Sequence, residues 1–157
     1  MPGICLTTDV IVGFCGETDA QYEEPLDLIR TVRFDGVFAA AFSPRPGTPA
    51  ARLADDVPAD VKRRRLNTLL DLQEGIGLER NQAWVGRRTE VLVDEVRPPR
   101  SHDHGAARAA APRVAGRNRE GKLVHLDGGP DLVGRLVEVV VDHAGPYALT
   151  GRLAGTP

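Results

Sequence analysis

Thr8-Asp9-Val10-Ile11-Val12-Gly13-Phe14-Cys15-Gly16-Glu17-Thr18 is the stretch that decides how the rest of the chain is interpreted. Its apolar, β-branched run Val10-Ile11-Val12 is typical of a strand buried on both faces of a parallel sheet. The two glycines that follow predict a sharp turn. Ligands of α/β sheets bind at the carboxyl ends of the strands, so this turn is a candidate ligand edge.

A helix is predicted directly after this turn, over about residues 19–33. Thr18 and Gln21 have the spacing of a capping box, and an apolar face recurs through Tyr22 and Ile29. Pro25 would remove a backbone hydrogen bond, so either the regular helix starts near Glu24 or the helix is kinked. One more strand is predicted over 34–42. Two strands and one helix cannot cover a sheet, which predicts the end of a larger domain.

The middle of the chain predicts a stiff loop and then a long helix. Proline and glycine over residues 43–57 argue against regular structure there. A helix of about 25 residues is expected from Pro58, and Trp84 closes it. The run Lys62-Arg63-Arg64-Arg65 has two interpretations. It is either a solvated helix face or a basic surface that touches RNA phosphates.

From Arg87 the apolar period changes to two, and turn residues separate five short segments. This pattern predicts a small antiparallel β-barrel of the OB-like kind, a class that often binds nucleic acid. Residues 97–112 are rich in alanine and predict a mobile insertion. His102-Asp103-His104 lies within it, but further ligands are lacking nearby, so no metal site is predicted. The predicted strands are 89–96, 113–118, 122–126, 135–142 and 147–153.

Composition narrows the functional class only slightly. The 157 residues carry a net charge of −2, and no apolar run is long enough to cross a membrane. Residues 1–57 carry nine acidic and four basic side chains, whereas residues 83–157 carry nine and eleven. Without a visible secretion signal and with only two cysteines, the sequence predicts a cytoplasmic protein.

Two motifs in this order resemble the end of the radical-SAM domain of tRNA methylthiotransferases. The first is the opening stretch, and the second is Phe42-Ser43-Pro44-Arg45-Pro46-Gly47-Thr48-Pro49-Ala50. The similarity is greatest to the branch that adds a methylthio group to isopentenyladenosine beside the anticodon. It continues through the long helix into a segment that resembles a TRAM domain, above all residues 116–126. The resemblance implies an α/β part over 1–57, a connecting basic helix over 58–84 and a TRAM-like barrel over 85–157.

The resemblance also implies cofactors, a partner and site residues. The cofactors of the family are S-adenosylmethionine and two 4Fe–4S clusters, and the partner is tRNA through its anticodon stem-loop. Arg45 could instead pair with a local carboxylate such as Asp55, and His125 could be a half-buried strand residue. The implied cofactor-binding residues are Val12, Gly13, Ser43 and Arg45. The implied RNA-binding residues are Arg117, Arg119, Lys122 and His125.

The chain departs from the family in ways that limit its expected activity. Clusters need thiolate ligands, and two cysteines cannot supply the two cysteine triplets of such enzymes. Cys15 and Pro25 replace residues that relatives carry, and Glu120-Gly121 replaces a turn that usually contains Asn. Since no catalytic residue is assigned, the chain alone is not expected to catalyse. We therefore expect part of a methylthiotransferase whose missing amino-terminal half is a possible partner, or alternatively a non-catalytic RNA-binding protein.

Overall fold

A computed structural model describes residues 4–97 and 112–155 of the chain. Two compact units are present, one formed by residues 6–77 and the other by residues 78–157 with the first five residues. Residues 98–111, and with them the predicted insertion and its histidines, lie outside the described part.

The first unit contains a two-stranded parallel sheet and helices on one of its faces. The confirmed capping box starts the first helix, where Thr18 Oγ1 accepts from the Gln21 N–H at 3.2 Å and Gln21 Oε1 accepts from the Thr18 N–H at 3.0 Å. The helix starts at Asp19 and passes through Pro25, so the predicted start near Glu24 is wrong. The elements are β1 (Thr7–Val12), α1 (Asp19–Val32), β2 (Gly36–Ala41) and α2 (Ala59–Gln82), whose last turn belongs to the second unit.

The parallel pairing of β1 with β2 is confirmed, but burial on both faces is wrong. Val12 is fully buried and packs with Leu26, Ile29 and Leu69 in the core of this unit. On the opposite face, Ile11 is 60% exposed. This face is open because both helices of the unit lie on the other side of the sheet. The loop after β2 is also more regular than expected, since Pro49–Arg52 forms a 3₁₀ turn.

The second unit contains the predicted small barrel, which is closed in the strand order β3-β4-β5-β7-β6. Its pairs are antiparallel apart from β5 and β7, which run parallel. The purely antiparallel prediction is wrong at this one pair. A short 3₁₀ turn, Pro130–Leu132, precedes β6. The strands are β3 (Arg88–Arg97), β4 (Arg113–Asn118), β5 (Leu123–Asp127), β6 (Leu136–Ala144) and β7 (Leu149–Leu153).

Alternating side chains of these strands fill the barrel interior. Val91, Val93, Leu126 and Leu149 are fully buried there, and Trp84 packs against this cluster from the segment before β3. The backbones of the paired strands β3 and β4 approach each other closely at Gly116. A Cβ atom at that position would lie 2.1 Å from the carbonyl oxygen of Leu92. Only glycine is compatible with such an approach.

Candidate cofactor edge and nucleic-acid interface

The carboxyl end of β1 is held by bonds within its own unit. The Gly13 N–H donates to Glu17 Oε2 at 2.7 Å, and the Val12 carbonyl accepts from the Phe42 N–H at 2.8 Å. Gly13 has φ of +72°, which side-chain-bearing residues rarely adopt. The predicted cofactor residues Val12 and Gly13 therefore shape this edge through their backbone, and a ligand there would meet neighbouring side chains.

Lys62 fills the space next to that strand end. A Cβ on Gly13 would lie 2.4 Å from Lys62 Cγ, so the lysine stem occupies the place of a side chain at position 13. Lys62 Nζ donates to the Phe42 carbonyl at 3.3 Å and forms an ion pair with Asp55. Asp55 thus pairs with Lys62 and is not the local carboxylate that binds Arg45.

Arg65 makes the second charged contact of α2 with the strand ends. Its Nη1 lies 2.6 Å from Glu17 Oε2, and its Nη2 lies 2.7 Å from Asp19 Oδ1. Bonding to Asp19 and Glu17 raises the pKa of Arg65. Lys62 and Arg65 are both buried while Arg63 and Arg64 are exposed, so the interpretation of the run as a solvated face holds only for its middle. The ion pairs of Arg65 could not be predicted from the sequence, because Glu17 and Asp19 lie more than forty positions away along the chain.

Tyr22 packs beneath this ion pair. Its hydroxyl donates to the Arg65 carbonyl at 2.8 Å, and the Arg65 guanidinium lies 5.2 Å from the centre of its ring. Burial raises the pKa of Tyr22 above its usual value. The turn after β1 is thereby tied to α2 by hydrogen bonds, charge and ring contact together.

Side chains at the ends of β1 and β2 offer polar and apolar contacts to a ligand. Ser43 and Arg45 are exposed on the loop after β2. The Phe14 and Phe42 rings meet edge to face with centroids 4.9 Å apart, and Phe14 is partly exposed. These strand ends therefore present a hydroxyl, a guanidinium and a phenyl ring, groups that can bind an anion and pack against a planar ring.

An iron–sulfur cluster does not fit the residues of this chain. Cys5 and Cys15 are the two cysteines of the chain and neither forms a disulfide, whereas a 4Fe–4S cluster is held by more thiolates than two cysteines provide. Among the described residues, no group of three or more metal-binding side chains comes together.

A separate open pocket of about 330 Å³ lies beside the start of α1. Its walls include Glu17, Asp19, Asp56, Arg64 and Arg65. None of the four predicted cofactor residues lines it, so it is distinct from the strand-end position that the sequence indicated.

Two of the four predicted RNA-binding side chains are exposed on the barrel. Arg117 projects from β4 and donates from Nη1 to the Gly121 carbonyl at 2.9 Å. Arg119 lies in the following turn, where Nε and Nη2 each lie 2.9 Å from Glu90 Oε2. An exposed ion pair of this kind contributes at most about 1 kcal/mol. A phosphate could therefore replace Glu90 at little cost.

The other two predicted RNA-binding residues are more enclosed. Lys122 is half-buried, and its Nζ donates to Asn81 Oδ1 at 2.8 Å. The Asn81 amide in turn donates to the Gly145 and Pro146 carbonyls at 2.8 and 3.2 Å. His125 is half-buried on β5 between Ala115 and Thr150 of the neighbouring strands.

The part of the chain that the structure describes contains no helix long and apolar enough to span a membrane. The described residues form an α/β unit followed by a small closed barrel that carries exposed arginines on its surface. The class of protein is settled by comparison with known proteins. No protein-family profile matches the chain, but curated tRNA-modifying enzymes match it along nearly its whole length.

These relatives are all tRNA-2-methylthio-N(6)-dimethylallyladenosine synthases. The chain is 42% identical over 153 residues to that of Carboxydothermus hydrogenoformans, 41% to that of Moorella thermoacetica and 39% to that of Bdellovibrio bacteriovorus. Each match covers 98% of this chain, which spans about a third of the relatives' length. The chain therefore corresponds to a carboxyl-terminal portion of tRNA methylthiotransferases, which confirms the resemblance stated above.

Proposed function

We propose that this chain is the part of a tRNA methylthiotransferase that walls the S-adenosylmethionine pocket and holds the tRNA. The complete enzyme would add a methylthio group to isopentenyladenosine next to the anticodon, in the cytoplasm. The observation that carries this proposal is the match over 98% of the chain to synthases whose name states a tRNA product.

The proposed tRNA-binding module is the barrel, residues 85–157, in the manner of a TRAM domain. OB-like barrels bind nucleic acid through outward-facing strands and loops. Arg117 supports this assignment because its side chain is exposed and, among the described residues, its guanidinium donates only to the Gly121 carbonyl oxygen. Arg119 would join it by exchanging Glu90 for phosphate. Lys122 and His125 stay predictions, with Lys122 already bonded to Asn81.

The proposed cofactor wall is the end of the parallel sheet in residues 1–57. S-adenosylmethionine supplies the methyl group in such a reaction, and the clusters would be held by the rest of the enzyme. In this chain Arg45 would bind the cofactor carboxylate and Ser43 would donate or accept a hydrogen bond. Lys62 and Glu17 would keep the two strand ends in place, since they bond Phe42 and Gly13 respectively.

The coding DNA upstream of Met1 tests the enzymatic part of the proposal. An in-frame Cys-x-x-x-Cys-x-x-Cys set, or a separate chain that carries it and co-purifies, supports a methylthiotransferase. A stop codon directly upstream, with no such chain bound, supports a non-catalytic RNA-binding protein instead. The tRNA part is tested by titrating the whole chain with an anticodon stem-loop at low salt. Absence of binding would contradict it.

A further inference from the structure

One level of the barrel exterior carries a continuous row of side chains from four strands. Arg117 on β4 pairs with Leu123 on β5 and with Leu92 on β3, and Leu92 pairs with Leu136 on β6. Directly paired residues project from the same face of a sheet. We call these four residues the leucine–arginine row.

The row exposes apolar surface on one side of Arg117. Leu92 and Leu136 are 51% and 57% exposed although they sit side by side, whereas Val91 and Val93, which flank Leu92, are fully buried inside the barrel. Single exposed leucines are ordinary on protein surfaces, but here two lie side by side and next to an arginine.

The charge in the row also differs from its surroundings. The next level of the same strands is neutralised, because Arg88 pairs with Glu138 and Arg119 pairs with Glu90. Arg117 forms no ion pair with any carboxylate in residues 4–97 and 112–155. The row thus combines one uncompensated guanidinium with leucines on both sides of it.

We propose that the leucine–arginine row binds unpaired nucleotides of an RNA loop. Arg117 bonds a phosphate, and Leu92 and Leu136 pack against the bases that follow it. A duplex offers phosphates but keeps its bases stacked inside, whereas a loop offers both groups together. This inference rests on the proposed tRNA function and adds which part of the RNA the barrel reads.

Competition between two RNAs tests the inference on the whole chain. The probes are an anticodon stem-loop and a duplex with the sequence of its stem, and the variants are Leu92→Ser/Leu136→Ser and Arg117→Gln. The leucine variant should bind the stem-loop about tenfold more weakly, since ~1.4 kcal/mol of apolar contact is lost, and should bind the duplex unchanged. The arginine variant should bind both RNAs more weakly, and the slope of log K against log salt should decrease in magnitude by about 0.7 to 0.9.

Two further variants serve as a surface control and as a test for a gain of binding, which misfolding would not produce. Leu28→Ser changes a leucine of equal exposure, 53%, on α1 and should leave both affinities unchanged. Leu136→Phe should tighten stem-loop binding severalfold, because an aromatic ring stacks on bases better than leucine.

The possible failures are distinguishable. If the unaltered chain binds neither RNA, the proposed tRNA function is wrong. If it binds the stem-loop and the leucine variant binds equally well, only the row is wrong. The row is likewise overturned if the unaltered chain forms a dimer that the leucine variant lacks while RNA affinity stays the same.

Discussion

Arg65 Nη1 lies 2.6 Å from Glu17 Oε2, and the same carboxylate oxygen accepts the Gly13 N–H at 2.7 Å. Both side chains are almost enclosed, at 6% and 12% exposure. One oxygen atom therefore joins α2 to the turn that ends β1. The proposed cofactor edge depends on this contact for its shape.

Removing the guanidinium should destabilise the first unit strongly. Arg65→Met leaves the Glu17 carboxylate without its cationic partner in a nearly closed site, where it keeps only the Gly13 N–H. We expect the free energy of unfolding in urea to fall by about 3 kcal/mol. Arg64→Met, one position away and exposed, should change stability by less than about 0.5 kcal/mol.

A double variant separates charge pairing from packing. Glu17→Met/Arg65→Met removes both charges. Its decrease in the free energy of unfolding should be smaller, by at least about 1 kcal/mol, than the sum of the decreases caused by Glu17→Met and Arg65→Met alone. Additive losses would contradict the ion pair as the cause.

Tyr22 gives the first unit a defined response to alkaline pH. Its pKa in the folded state is raised by burial above the ordinary value of 10.0. The folded protein then keeps the proton that the unfolded chain loses. The stabilisation is complete below about pH 10 and is lost as pH rises through the folded pKa. Urea unfolding between pH 9 and 11 should show a steeper loss for the unaltered chain than for Tyr22→Phe, and equal slopes would contradict this.

Gly116 should be essential to the barrel. Gly116→Ala places a Cβ 2.1 Å from the Leu92 carbonyl oxygen, and paired backbones cannot separate without breaking their register. We expect the free energy of unfolding of the barrel to fall by about 3 kcal/mol or more. Fluorescence of Trp84, which packs on the barrel core, reports this unfolding.

The control for this substitution is Gly75→Ala. A Cβ on Gly75 meets nothing within 4 Å, and the residue lies inside α2. Alanine there should stabilise the helix by up to about 1 kcal/mol. A barrel that tolerates Gly116→Ala as well as Gly75→Ala would show that the close approach is not required.

Lys122 should matter more for the barrel than for RNA. Lys122→Met removes the hydrogen bond from the ammonium to Asn81 Oδ1. The buried amide oxygen of Asn81 is then left without this charged donor, so the free energy of unfolding should fall by about 2 kcal/mol. The salt dependence of RNA binding should change less than in Arg117→Gln, because the Lys122 ammonium is already bonded within the barrel. A slope reduced as much as in Arg117→Gln would instead assign Lys122 to a phosphate.

Local patterns predicted the elements well because their causes are local. The capping box at Thr18 and Gln21 started α1 as expected, and the period of two after Arg87 located the five barrel strands. Contacts distant in the chain were not predictable. The parallel pairing of β5 with β7 joins strands that are separated by β6. Arg65 looked like a surface charge because its partner Glu17 lies 48 positions away in the chain.

For the candidate site residues, too, the sequence predicted positions that depend on local structure but not contacts between distant segments. The exposed positions of Arg117 and Arg45 follow from a strand and a proline-rich loop that the sequence indicated. The bond between Lys122 and Asn81 required the end of α2 to lie against the β6–β7 turn, which no spacing revealed.

The most direct test of the account is the salt dependence of tRNA stem-loop binding by the whole chain, compared with Arg117→Gln/Arg119→Gln. We predict that log K falls linearly with log salt and that the double variant loses between one and two units of slope, as expected from about 0.7 to 0.9 per phosphate contact. Binding that is absent at low salt, or a slope that the double variant leaves unchanged, would contradict a tRNA-holding barrel.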